Sequence, residues 1–218
     1  MDNQQILLNN NDLDQMISMH SEIDEWDKYW QDKSIKKRII EFIRRNYLAR
    51  IFVSEVYKNI NGTKPILEAG CGSGTYLQMI QSDNKKTFCV GIDNSKESIK
   101  LAKEKNVEVV LGDIFNLPFK DNAFNVAYNQ GVMEHFDDNE FRTILKELTR
   151  VAENVLILLP ASTSIFQLYD PIGDDDDKRF FSKKKLKQLL SLELSDVKVQ
   201  YLWKTGGLTI SGYGKSKK

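Results

Sequence analysis

The stretch Ile66-Leu67-Glu68-Ala69-Gly70-Cys71-Gly72-Ser73-Gly74 decides how this chain is read. A short apolar run containing an acid ends in glycines at alternate positions, and a helical pattern starts at Thr75. Glycines there let a strand turn sharply into a helix and let a ligand approach bare backbone. A turn without a ligand needs one or two of them, and a third gives up backbone entropy for nothing. A dinucleotide site requires Gly-x-Gly-x-x-Gly. Counted from Gly70, its third glycine would fall at position 75, which is Thr75. The dinucleotide fingerprint therefore fails by one residue.

Outward from this loop, apolar runs alternate with helical patterns, the signature of stacked βαβ units. The patterns predict strands at Ile66 to Ala69, Phe88 to Ile92, Glu108 to Leu111, Phe124 to Tyr128 and Val155 to Leu159. Helices are expected at Thr75 to Gln81, Lys96 to Glu104 and Phe141 to Ala152, the last with Asp137 or Asp138 as N-cap. A further helix at Ser182 to Leu190 leads into strands at Val197 to Trp203 and Leu208 to Gly212, joined through Thr205-Gly206-Gly207 as an antiparallel hairpin. Before the loop, Ile35, Ile39, Ile43, Tyr47 and Ile51 recur at helical spacing within Ser34 to Asn59, and Asn61-Gly62 is a helix-ending pair. The expected fold is α/β: a Rossmann-like, doubly wound, mostly parallel seven-stranded sheet with an antiparallel edge hairpin and an N-terminal helical appendage. Residues 1–62 read as arm and lid, and 63–218 as the ligand-binding core.

Three further segments carry chemistry. Val90-Gly91-Ile92-Asp93 is an apolar strand ending in an acid 19 residues beyond Gly74, close to the roughly 20-residue offset at which a carboxylate meets a ribose diol. Asp93 is the ribose candidate with Asn94 beside it; its rival role is to cap the helix that begins near Ser95. Gly112-Asp113-Ile114 repeats the pattern of a strand end with an acid, although an aspartate after a glycine is also a common turn former. Asn129-Gln130-Gly131-Val132-Met133-Glu134-His135-Phe136 follows the fourth strand.

Taken together, Glu68-x-Gly70-x-Gly72-x-Gly74, Asp93, Asp113 and the Asn129 to Phe136 segment resemble the class I S-adenosylmethionine-dependent methyltransferases, in order and interval, from about Pro65 to Pro160. Arg179-Phe180-Phe181-Ser182 and the leucines after it resemble the ubiquinone-biosynthesis-like, small-molecule subgroup. The resemblance implies S-adenosylmethionine as cofactor, held by Glu68, Ala69, Gly70, Cys71, Gly72, Gly74, Asp93, Asn94, Asp113, Ile114, Asn129 and Gln130. In it Asp113 meets the adenine amine and Ile114 packs on the ring. His135 is the candidate catalytic base, with Glu134 and Tyr128 behind it; the competing role for His135 is packing at the start of the next helix.

Charge and composition narrow the acceptor. Lysine and arginine number 31 against 31 acidic residues, so no global field gathers a polyanion. An Asn/Asp-Pro-Pro-Tyr-like motif is missing at Asn129 to Val132, and neither Cys71 nor Cys89 follows a proline as a cytosine C5 nucleophile does. A small-molecule acceptor is expected and nucleic acid is not. The alternatives are a protein or RNA methyltransferase, or a non-catalytic cofactor-binding subunit. Two cysteines and two histidines offer no metal cluster. The polar start of the chain lacks a signal-peptide pattern, and the longest apolar run, Val155 to Pro160, is far short of a membrane span. A cytoplasmic monomer or homodimer is the expectation. The acceptor pocket is expected under the Trp26, Tyr29 and Trp30 cluster and the stretch Ala161 to Lys178, whose run Asp174 to Asp177 reads as a solvated loop.

Overall fold

The computed structural model describes residues 6, 23–31, 34, 35, 42, 47–60, 62–83, 87–163 and 179–217. Most of the stretch Ala161 to Lys178, with its run Asp174 to Asp177, and most of the predicted helix before residue 47 lie outside them, as does the side chain of Trp26.

Burial explains the strand chemistry. Every residue of β1 (Ile66–Ala69) and β2 (Cys89–Asp93) is buried, as expected of parallel strands covered on both faces. They join β3 (Val109–Leu111), β4 (Phe124–Gln130), β5 (Ala152–Pro160), β6 (Leu194–Tyr201) and β7 (Thr209–Ser216) in one sheet of order β3-β2-β1-β4-β5-β7-β6. The first five strands are parallel, while β7 runs antiparallel to both β5 and β6. Strand order reverses between β1 and β4, which opens the crevice at the carboxyl edge where such sheets bind ligands.

Alternation along β5 sorts the two cores. Val155, Ile157 and Leu159 face α5 (Asp138–Val151) and α6 (Lys183–Leu190), packing with Phe141, Leu145 and Leu186. Leu156 and Leu158 face the other layer, with Phe52 and Val56 of α2 (Ala49–Asn59) and Leu77 and Ile80 of α3 (Thr75–Asp83). Helix α4 (Lys96–Glu104) crosses from β2 to β3, and α1 (Ile23–Gln31) lies against α4. Ile6 is buried, and its carbonyl accepts from the Lys120 amide at 2.9 Å.

Local signals place the helix starts. Asp137 closes a capping box with Glu140 at the head of α5, Ser95 caps α4 and Ser182 caps α6. The end of α2 departs from expectation: Ile60 is already extended, and Gly62 does not take a left-handed conformation. What Gly62 supplies is space, since a Cβ there would stand 2.7 Å from Asn125 Nδ2. The loop between β3 and β4 is held by Arg150, which donates to the carbonyls of Leu117 and Phe119 and pairs with both oxygens of Glu147. No helix among the described residues is long and apolar enough to cross a membrane.

Candidate active site

The glycine loop leaves the carboxyl end of β1 with Gly70, Gly72 and Gly74 all at positive φ. At two of them the space matters as much as the angle. A Cβ on Gly70 would lie 2.4 Å from Val132, in the turn after β4, and one on Gly72 would lie 2.5 Å from the Trp30 ring of α1. The loop is thus pressed between the β4 turn and the arm. The amides of Gly70 and Cys71 both donate to the Ile92 carbonyl at 2.8 and 3.0 Å, which fastens the loop to β2. The Cys71 side chain is buried against Gly91, so only its backbone faces outward.

Asp93 ends β2 directly beneath this loop. Its Oδ2 accepts from the Gly72 amide at 2.8 Å, and its Oδ1 accepts from the Ser95 amide at 3.0 Å and the Ser98 hydroxyl at 2.8 Å. A carboxylate offers about four acceptor directions. Three are filled by the protein, which leaves one on Oδ2 at a residue 8 % exposed. Burial pushes the Asp93 carboxyl above the usual carboxylate range, against the pull of those three hydrogen bonds, and the nearby Asp27 carboxylate pushes the same way. The cap of α4 is Ser95, so the rival role for Asp93 is taken by its neighbour.

The other expected residues divide. Asp113 follows Gly112, whose amide donates to the Asp93 carbonyl at 3.0 Å, so the ends of β2 and β3 are adjacent. One Asp113 oxygen accepts from the Phe115 amide at 2.9 Å and forms the turn, while Ile114 is buried beside it. Asn94 is half-buried after β2. Asn129 is wholly buried, donating to the Ala69 carbonyl at 2.5 Å and accepting from the Met133 amide at 3.2 Å. It holds the two turns together, with both polar ends spent on backbone. Gln130 differs, because its Oε1 is buried with no hydrogen-bond partner. Glu68 is buried under the loop, where its charge raises the Tyr128 hydroxyl further above its ordinary value after burial has already done so. A tyrosine so placed, 1 % exposed, cannot serve as a base.

His135 ends a 3-10 turn (Met133–His135) at the same edge and is half-buried. That turn is braced by Arg179. The Arg179 amide donates to the Glu134 carbonyl at 3.0 Å, and its guanidinium donates to the Phe136 carbonyl and pairs with Asp138. Sequence reading marked Arg179 only as part of a resemblance.

Two residues escaped it altogether. Lys105, at the end of α4, donates to the Ser73 carbonyl, the Ser73 hydroxyl and the Thr75 hydroxyl at 2.7, 2.9 and 2.9 Å. It clamps the loop from behind, and a lysine in the run Lys103-Glu104-Lys105 gives no local sign of that. Asp27 of α1 accepts from the Ser95 hydroxyl at 2.5 Å and the Glu97 amide at 3.2 Å, latching the arm onto the start of α4.

Open glycine backbone, a carboxylate with one acceptor left and an orphaned amide oxygen, gathered where β1, β2 and β4 end, suit a nucleoside carrying a charged amino-acid tail. The fold is shared with solved S-adenosylmethionine-dependent methyltransferases. Residues 66–154 match the family described as "Methyltransferase domain". Among similar proteins, a tRNA (carboxymethyluridine(34)-5-O)-methyltransferase of Arabidopsis thaliana is 35% identical over 116 residues, covering 50% of this chain and 28% of its own length. A demethylmenaquinone methyltransferase of Thermotoga maritima is 28% identical over 121 residues, 52% of each chain. The chain thus spans about half or less of these relatives. A Thermotoga maritima structure described as a possible histamine N-methyltransferase shares the fold at TM-score 0.68 and 19% identity, over 88% of this chain and 100% of that one.

Proposed function

We propose that the chain transfers the methyl group of S-adenosylmethionine to a small-molecule acceptor by in-line displacement at the carboxyl edge of β4. The observation that carries this reading is the loop itself: three glycines at positive φ, with Gly72 tied by its amide to Asp93. When bound, the cofactor supplies an activated methyl on a sulfonium. The chain's own work is to hold the reactants in line and exclude water. Gly70 to Gly74 and Gln130 contact the amino-acid end, Glu68 favours its ammonium, and Asp93 holds one ribose hydroxyl. Asp113 and Ile114 border the adenine. Lys105 and Asn129 act through the loop, and Arg179 acts through the turn that carries His135. His135 takes the acceptor's proton where the acceptor is not already ionised. Residues 1–62 act as the arm over this core, with Trp30 as the part that covers Gly72.

Calorimetric titration of S-adenosylmethionine into the intact chain tests the cofactor assignment, and an absence of binding heat would end it. Asp93→Ala is expected to weaken binding by about 1.5–3 kcal/mol, the range for a hydrogen bond to a charged group. Methyl-labelled cofactor offered with pools of phenols, amines and quinols is expected to label a small molecule. A second reading, an RNA nucleoside as acceptor, is favoured by the tRNA-modifying relative. Label recovered in RNA and not in the small-molecule pools would establish it instead.

A further inference from the structure

The turn between β6 and β7 holds a tryptophan out to solvent. Trp203 is 77 % exposed, the most of any large apolar side chain among the described residues. Its turn is nonetheless tightly held. The buried Thr205 hydroxyl donates to the Leu202 carbonyl at 2.6 Å and accepts from the Thr209 amide at 3.2 Å. The Leu202 amide donates to the Thr209 carbonyl at 2.8 Å, and the Tyr47 hydroxyl to the Lys204 carbonyl at 3.0 Å. A Cβ on Gly207 would stand 3.4 Å from Trp203 Cζ3, so part of the indole rests on glycine backbone and the rest meets solvent. Tyr201 supports it edge-on, with the ring centres 6.0 Å apart. A ring fixed in this way gives up little freedom when a flat partner stacks on it.

The turn belongs to the same edge as the candidate site. Tyr201, which ends β6, pairs with Ile210, and Thr209, which begins β7, pairs with Pro160, which ends β5. Backbone hydrogen bonds lead on from there to the His135 turn: the Ala161 amide to the Leu208 carbonyl, the Phe181 amide to the Pro160 carbonyl and the Arg179 amide to the Glu134 carbonyl, at 2.9, 2.9 and 3.0 Å. With neighbouring strands about 4.8 Å apart, the turn stands about 10–15 Å from the end of β4. Cations accompany the indole. The Lys183 ammonium lies 4.8 Å from the centre of the Tyr201 ring, and Lys204 follows Trp203 in the chain; both lysines are exposed. Lys185 and Arg179 are paired with Asp138, whereas Lys183 and Lys204 pair with no carboxylate among the described residues. An aromatic face beside unpaired ammonium groups is complementary to a flat ring that carries negative charge. A protein partner suits it less, because lysine is depleted at the cores of protein interfaces.

We infer that Trp203, with Lys183 and Lys204, is a second recognition point for the methyl acceptor, binding a planar ring that bears a carboxylate or phosphate while the reacting atom lies at the His135 turn. The acceptor is then an elongated anion with a flat end about 10–15 Å from the atom that is methylated. An aromatic acid and a nucleotide share that chemistry. The part played toward the acceptor rests on the small-molecule reading above; the ring site itself does not.

Nuclear magnetic resonance of the indole N–H groups of the chain's three tryptophans tests it, with Trp203→Phe assigning the resonance. The probes are 2-naphthoate, adenosine monophosphate and oligouridylate, with 2-naphthamide and adenosine as neutral controls. Both anionic monomers are expected to shift the Trp203 resonance saturably, and the neutral controls to bind about fivefold more weakly. Affinity for 2-naphthoate, read from broadening of its own resonances, is expected to fall about tenfold in Trp203→Ala. Lys183→Gln with Lys204→Gln should erase the preference for the anions. Unchanged thermal melts show that these variants fold. With an acceptor found by methyl labelling, Trp203→Ala is expected to raise KM about tenfold at nearly constant kcat, as lost uniform binding does. No shift of Trp203 with any anionic probe, equal affinity for the neutral controls, or probe affinity and KM that Trp203→Ala leaves unaltered would overturn the inference. If oligouridylate binds at least tenfold more tightly than either monomer, the small-molecule reading fails and the Trp203 site stands.

Discussion

At the scale of single residues, burial decides which groups can react. Cys89 is pushed up to about 12 by burial and then by Glu68, and Cys71 is raised by burial, Asp93 and Glu68. Neither thiol is ionised near neutrality. Both are expected to resist a disulfide reagent such as Ellman's at about pH 8 until the protein unfolds, because the thiolate is the reactive form. Prompt reaction of the native chain would show that the glycine loop opens. Asp93 gives a pH signature with a definite sign. Its carboxyl is raised in the folded chain, so the folded state binds that proton more tightly than the unfolded one. The associated stability is fully present below the ordinary carboxylate range and is lost as pH rises through the raised value. Urea unfolding of Asp93→Asn beside the parent, across mildly acidic pH, is expected to show that slope in the parent alone.

At the scale of elements, the connections between strands are fixed by a few charged side chains. Arg150 ties the β3–β4 loop to α5 through two carbonyls and a two-oxygen pairing with Glu147, with Asp121 at 2.8 Å on its outer side. Lysine cannot reproduce that fork. Arg150→Lys is expected to destabilise the fold by about 2 kcal/mol, read from denaturant melts. Asp138 has the opposite sign from Asp93. Lys185 first, and Arg179 after it, hold its carboxyl below the usual range. The brace on the His135 turn is therefore present above the ordinary carboxylate value and lost as pH falls through the lowered one. Loss of turn order in Asp138→Asn at neutral pH, followed by the His135 ring resonances in NMR, would mimic acidification of the parent. The strands were legible because parallel strands buried on both faces need continuous apolar runs, and β1 at Ile66 to Ala69 agrees to the residue. Their ends were not. Strand β4 continues to Gln130 and β5 begins at Ala152, because pairing with neighbours extends a strand past its apolar stretch. The hairpin was foreseen at Thr205-Gly206-Gly207, and both glycines are left-handed there.

At the scale of the whole molecule, long-range contacts complete the site, and these the sequence did not display. Asp93 was singled out as a candidate by its offset from Gly74, but its three internal hydrogen bonds depend on where Ser95, Ser98 and the loop fold back. Lys105 and Asp27 have no motif at all; only the packing of α4 and α1 brings Lys105 to the loop and Asp27 to the start of α4. The arm should act on rates more than on fold. Trp30→Ala is expected to speed cofactor dissociation about tenfold in stopped-flow displacement while leaving the melting temperature nearly unchanged, since most affinity changes between related complexes appear in the off-rate. The single acceptor direction left on Asp93 has a further consequence for discrimination between nucleosides. One hydroxyl can be gripped there and its neighbour cannot, so cofactor analogues missing one sugar hydroxyl or the other should separate into a poor ligand and a near-equal of the natural one.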